Sequence, residues 1–162
     1  SVRVGEVTVG ALIAVNALGD VVDPDTGAPI AGARTPDGQA LRHSVRALLA
    51  GEAPQAILAG SNTTIGVVAT DAPLIKARAQ RLAGAGHDGL ARAIRPVHTM
   101  SDGDTLFALS TGHAPAIDFN LLCAMASEAV ARACVPAVRA ARGLQADGLW
   151  LPSAIDLEAA RA

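Results

Sequence analysis

Ser61-Asn62-Thr63-Thr64-Ile65-Gly66-Val67-Val68-Ala69-Thr70-Asp71-Ala72-Pro73 passes from a polar knot through an apolar segment to the start of a helix. Ile65 to Thr70 reads as a strand. Asp71 is a good N-cap and Pro73 suits a first helical turn. Leu74, Ala77, Leu82, Ala85, Leu90, Ala93 and Ile94 then recur at roughly 3.6-residue spacing, which predicts a helix to about Ile94. Thr105 to Ser110 reads as a further strand, and a last long helix begins at the cap Asp118 and runs to about Arg142, with Pro136 expected to kink or split it. Upstream, Val7, Val9, Ala11, Ile13 and Val15 alternate with Thr8, Gly10, Leu12, Ala14 and Asn16, a strand whose second face is also largely apolar and is expected to be buried on both sides. Asp20 to Gln39 is rich in Asp, Gly and Pro and reads as a surface loop, and Leu41 to Leu49 as a short helix. Strands alternating with helices make a layered α/β protein.

The polar knot can carry chemistry. A threonine hydroxyl is a weak nucleophile until a base takes its proton, and an N-terminal amine, with a pKa near ~8, is such a base close to neutral pH. A peptide nitrogen is not, because its lone pair is in resonance with the carbonyl. If the Asn62–Thr63 bond breaks, Thr63 gains both groups at once. The route is attack of the Thr63 hydroxyl on the Asn62 carbonyl, an N-to-O acyl shift to an ester, and hydrolysis. Read alone, however, Asn-Thr-Thr before a strand is also the composition of a turn. The same two readings hold at Asn16, a turn residue or an amide donor to an oxyanion, and at Ser101-Asp102-Gly103-Asp104. That stretch is a tight turn, or else two carboxylates on one face of a strand that could set the pKa of an amine or hydroxyl.

Asn62 to Leu74, with Asp88-Gly89-Leu90-Ala91-Arg92-Ala93-Ile94-Arg95-Pro96-Val97-His98-Thr99-Met100 and Asp102-Gly103-Asp104-Thr105, resembles the DmpA-type family of L-aminopeptidase/D-amidase-esterases, β-aminopeptidases and endo-type nylon-oligomer hydrolases. The similarity runs from about Val4 to Arg142, and the Asn-Thr form and the paired aspartates are closest to the nylon-oligomer branch. The resemblance implies autocleavage between Asn62 and Thr63, giving pieces 1–62 and 63–162 of a single domain. Thr63 would be the nucleophile, Asp104 with Asp102 behind it would steady that residue, and Asn16 would contribute to the oxyanion hole. The fold it implies is a four-layer α-β-β-α sandwich of the ornithine-acetyltransferase type, like that of N-terminal-nucleophile enzymes, with this chain supplying its C-terminal half or more. Family members begin with a long segment ahead of the strand that opens here. The expected activity is hydrolysis of amide bonds in short peptides, β-peptides, amino-acid amides or oligoamides through an acyl-enzyme. Acyl transfer to an amine, as in ornithine acetyltransferase, and a non-catalytic structural subunit are the alternatives.

No cofactor or metal is expected. The nucleophile would bring its own base, and His43, His87 and His113 occur in no metal-like spacing. His98 is expected to be a structural or surface histidine. The Asp23-Pro24-Asp25-Thr26-Gly27 cluster lacks the distal Glu of a calcium loop. Of the 162 residues 51% are hydrophobic but 2% aromatic, so the interior is to be built from Ala, Val and Leu, which bury little area each, and a homo-oligomer, tetramer or larger, is expected. A net charge of -2 with scattered arginines gives nucleic-acid binding no support. No unbroken apolar run reaches the ~20 residues that span a bilayer. Cys123 and Cys134, too far apart on one helix to bridge, read as reduced core residues of a cytoplasmic protein.

Overall fold

The computed structural model describes residues 1–52 and 62–159, so most of the slack tether that Ala50-Gly51-Glu52-Ala53-Pro54 is expected to begin, leading to Thr63, lies outside the described residues. Strand β1 (Val2–Val4) turns at Gly5, φ +58°, into β2 (Val7–Ala14). A small hairpin of β3 (Asp20–Val22) and β4 (Pro29–Ala31) and a short helix α1 (Ser44–Leu49) precede β5 (Ile65–Thr70). Helix α2 (Lys76–Ala93) leads through the two-residue strand β6 (Ile94–Arg95) to β7 (Thr105–Ser110) and helix α3 (Phe119–Arg139). The hairpin β8 (Leu144–Ala146) and β9 (Leu149–Leu151) and helix α4 (Ala154–Ala159) follow.

The main sheet has the order β1-β2-β5-β7. β2 lies antiparallel to β5, with Val9 to Ala14 facing Thr70 to Ile65, and β5 lies parallel to β7 in the register Ile65 to Thr105 through Thr70 to Ser110. Parallel neighbours need a crossover, and α2 supplies it. β6 joins β3 and β4 in a second, smaller sheet. One face of the main sheet carries Val7, Val9, Ile13, Val68 and Leu106, all buried against α2 and α3. The helices contribute Leu82, Ala85, Leu90, Leu122, Met125, Ala126, Ala129 and Val130. α3 is long and apolar enough to cross a membrane by length and composition, but those side chains are core contacts.

The other face of that sheet is apolar and open: Leu12 is 75% exposed, Phe107 65%, Ile65 50% and Leu109 46%. β2 is therefore buried on one side only, against the sequence expectation, because no layer among the described residues covers the second face. Three local readings also change. Asp71 does not cap α2, whose first turn begins after Ile75; its Oδ1 accepts from the Thr8 N–H at 2.8 Å and ties the end of β5 to β2. The predicted loop after Asp20 contains the β3–β4 hairpin, and Asp20 is 4% exposed, its carboxylate accepting from the N–H (2.6 Å) and hydroxyl (2.7 Å) of Ser44 at the head of α1. Pro136 does not split α3: it lies in the last turns, and its carbonyl accepts the Ala140 N–H at 2.8 Å.

Candidate active site

Parallel pairing sets the site. Because Ile65 stands beside Thr105, the residues leading into each strand also run side by side, and Asn62 bridges to Asp102. Asn62-Thr63-Thr64 is thereby laid along Asp102-Gly103-Asp104. The Gly103 N–H donates to the Asn62 carbonyl at 3.0 Å, the Thr64 N–H to Oδ1 of Asp104 at 2.8 Å, and the Thr105 N–H to the Thr64 carbonyl at 3.0 Å. From the opposite side the chain leaving β2 arrives, and the carbonyl of Asn16 accepts the Thr63 N–H at 2.8 Å. Four of the sequence-predicted positions, Asn16, Thr63, Asp102 and Asp104, and the bond at Asn62, are thus gathered where three segments meet.

The Thr63 hydroxyl donates to the Asn62 carbonyl oxygen at 2.6 Å, the same oxygen that receives the Gly103 N–H. Two donors on one carbonyl polarise it toward attack, as an oxyanion hole does. The closeness explains the glycine: a Cβ at Gly103 would come within 2.8 Å of the Thr63 Oγ. Thr64, the next residue, is fully buried, and its hydroxyl has no hydrogen-bond partner among the described residues.

The two aspartates serve different neighbours, because β7 begins only at Thr105 and both precede the strand that would have aligned them. Asp104 has a side chain only 3% exposed; beyond Thr64, its Oδ2 meets Nδ1 of His98 at 2.8 Å. Its negative charge, after burial as the larger cause, helps push the Cys134 thiol up to about 12. Asp102 accepts from the N–H (3.0 Å) and hydroxyl (2.7 Å) of Thr99 and, at 3.4 Å, from the Leu18 N–H. It therefore pins the segment that carries Asn16 to the turn that carries Gly103. Asn16 itself is exposed and meets Thr63 through its backbone carbonyl.

Sequence reasoning missed Gly103; His98, read as a structural or surface histidine, is hydrogen-bonded to Asp104 of the site. Gly103 acts through its main-chain N–H, which its place between two acids does not announce. His98 has φ +56° and its Nε2 lies 3.3 Å from Nδ1 of His87 on α2. Nothing in the spacing foretells that pairing.

The sequence matches the model of peptidase family S58 over residues 1–149. An uncharacterized aminopeptidase of Mycobacterium leprae is 55% identical over 106 residues, 65% of this chain and 29% of that protein. A 6-aminohexanoate-oligomer endohydrolase of Paenarthrobacter ureafaciens is 33% identical over 112 residues, 67% of this chain and 31% of that protein. The chain thus spans about three tenths of these relatives' length. Among solved structures, a protein of Pyrococcus horikoshii OT3 superposes with a TM-score of 0.62 at 23% identity, covering 95% of this chain and 41% of its own. The L-aminopeptidase D-Ala-esterase/amidase of Ochrobactrum anthropi, described as a variant of the Ntn hydrolase fold, gives 0.56 at 22% identity, covering 94% and 46%. At such identities the likeness is one of fold, and the mixed α/β layers here are those of Ntn-hydrolase-fold aminopeptidases. Peptidase family S58 is the DmpA-type family to which the motifs around Thr63 pointed, and by the match over residues 1–149 the chain belongs to it.

Proposed function

We propose that this chain is the nucleophile-bearing part of an amidohydrolase that matures by breaking its own Asn62–Thr63 bond. The observation that supports this best is the shared carbonyl oxygen of Asn62, approached by the Thr63 hydroxyl at 2.6 Å and by the Gly103 N–H at 3.0 Å. In the uncut chain the hydroxyl attacks the Asn62 carbonyl carbon, closing a small ring through its own Cβ, Cα and nitrogen. The oxyanion that forms is held by the Gly103 N–H. The hydroxyl proton passes to the Thr63 nitrogen as the C–N bond breaks, so the acyl group ends on oxygen and the nitrogen leaves as an amine, and water then hydrolyses the ester.

In the mature protein the Thr63 amine takes the hydroxyl proton as the oxygen attacks a substrate amide, and returns it to the departing amine. The Asn16 carbonyl, already on the Thr63 nitrogen, orients that amine so that its lone pair faces its own hydroxyl. Water then releases the acyl group. Linear amides follow as substrates, with short peptides, β-peptides, amino-acid amides and oligoamides all in the class; the names of the relatives, an aminopeptidase and an oligomer endohydrolase, support that breadth.

The experiment is intact mass spectrometry of the purified protein with N-terminal sequencing. A fragment beginning at Thr63 is expected, and its loss in Thr63→Ala together with at least a 1,000-fold fall in hydrolysis of an amino-acid anilide, the order seen when a nucleophile is removed. A Thr63→Ala protein that still splits at this bond would refute the assignment. Added amine acceptors should give little product beside the hydrolysed acid; predominant capture by amine would make the chain an acyltransferase.

A further inference from the structure

His98 holds a left-handed backbone, φ +56°, which residues other than glycine adopt rarely. That conformation turns two donors onto one oxygen: Oδ2 of Asp104 faces the ring Nδ1 at 2.8 Å and the main-chain N–H at 3.4 Å. Since Nδ1 carries its proton toward the carboxylate, Nε2 of a neutral His98 accepts, and the group placed to donate is Nδ1 of His87, 3.3 Å away, with ring centroids 4.8 Å apart. A line of contacts therefore runs from α2 through two imidazoles to a buried carboxylate and on to the Thr64 N–H. Burial first, and His98 second, hold His87 below the usual imidazole range, while Asp104 and Asp88 of α2 act against them. Cys134 of α3, whose thiol burial and the Asp104 charge push up to about 12, stays a neutral thiol.

We propose that His98, backed by His87, is a positioning residue for Thr63: it clamps the Asp104 carboxylate onto the Thr64 N–H and thereby fixes the turn whose Gly103 N–H holds the carbonyl to be attacked. His98 touches none of the reacting atoms. A left-handed backbone kept at such a place fits this role, since strained conformations persist where their surroundings over-determine them. The proposal rests on the self-cleavage reading above.

The test takes the full chain in two forms. In the self-cleaving form, His98→Leu should slow appearance of the Thr63 fragment at least tenfold. His98→Asn should recover most of that rate, because its amide nitrogen can stand where Nδ1 stands and Asn tolerates the left-handed backbone. Both should flatten the dependence of the rate on pH between about 5 and 8, where imidazole changes charge. A His98→Leu rate equal to the parent's, or an Asn variant no faster than the Leu one, overturns the proposal. In the second form, a Thr63→Ala chain, the Thr64 amide resonance is followed by NMR as pH is varied. It should move with the His98 ring and cease to move once His98→Leu is added. A Thr64 amide indifferent to that titration overturns the proposal whatever becomes of the Asn62–Thr63 bond. Conversely, splitting that survives Thr63→Ala sinks the cleavage reading and leaves the amide to decide this one.

Discussion

Thr64 offers the sharpest test at the scale of one residue. Its side chain is fully buried and its hydroxyl is without a partner among the described residues. A buried polar atom left unpaired carries a desolvation penalty of roughly 1–3 kcal/mol. Val has the same shape without that atom, so Thr64→Val should raise stability by about 1 kcal/mol, seen as a higher urea midpoint at an unchanged slope. Lower stability would mean that the hydroxyl is satisfied by a water. The same residue also shows how differently the positions of this site were readable. Thr63 stood out through the run Asn62 to Leu74 and its resemblance to the DmpA-type family, while the residues alone left it open as a turn. Gly103 and His98 act through a main-chain N–H and a backbone angle, neither of which a residue type alone reveals.

At the scale of elements, the contact of α2 with α3 decides what the helix glycines do. A Cβ at Gly89 would lie 2.3 Å from the Ser127 carbonyl oxygen and 2.8 Å from Cβ of Val130, a backbone and a stiff side chain that cannot move aside. At Gly84 the nearest atom is the flexible end of Arg81, 3.4 Å away. Alanine is favoured over glycine in a helix by about 1 kcal/mol, while overpacking costs typically 1–3 kcal/mol. Gly84→Ala should therefore stabilise by up to about 1 kcal/mol and Gly89→Ala destabilise by at least about 1 kcal/mol, both measured by chemical denaturation. Reversed signs would mean that the two helices do not meet along this line. The packing is tight at Gly89 and open at Gly84. β5 and β7 were legible to the residue because β-branched and apolar runs bounded by polar turns leave little choice. The β3–β4 hairpin and the start of α2 were not, since Asp20 is spent on Ser44, 24 residues on, and Asp71 on Thr8, 63 residues back.

For the whole molecule, the alternation in β2 correctly marked both faces as apolar, but sequence could not say what lies on the second. That face carries Leu12, Ile65, Phe107 and Leu109 in the open. In an α-β-β-α sandwich it is where a second sheet packs, and this chain spans about three tenths of its curated relatives. The 162-residue chain by itself should accordingly bind a hydrophobic dye such as ANS in its native state and associate with rising concentration. Leu12→Gln with Phe107→Gln should lower both signals while leaving the far-ultraviolet circular dichroism unchanged. Dye binding unaffected by those changes would place the exposed apolar surface elsewhere. Exposed patches of this kind mark interaction sites or association hazards in soluble proteins.

β2 lies upstream of the Asn62–Thr63 bond and β5 and β7 downstream, yet the three are neighbours in one sheet, with Val9 to Ala14 laddered onto Thr70 to Ile65. Scission there would remove a covalent link without opening a seam. The products would be halves of a single interlocked body, parted by denaturant and not by dilution. Two separately expressed polypeptides, divided at that point, should find each other by strand complementation and rebuild the same core.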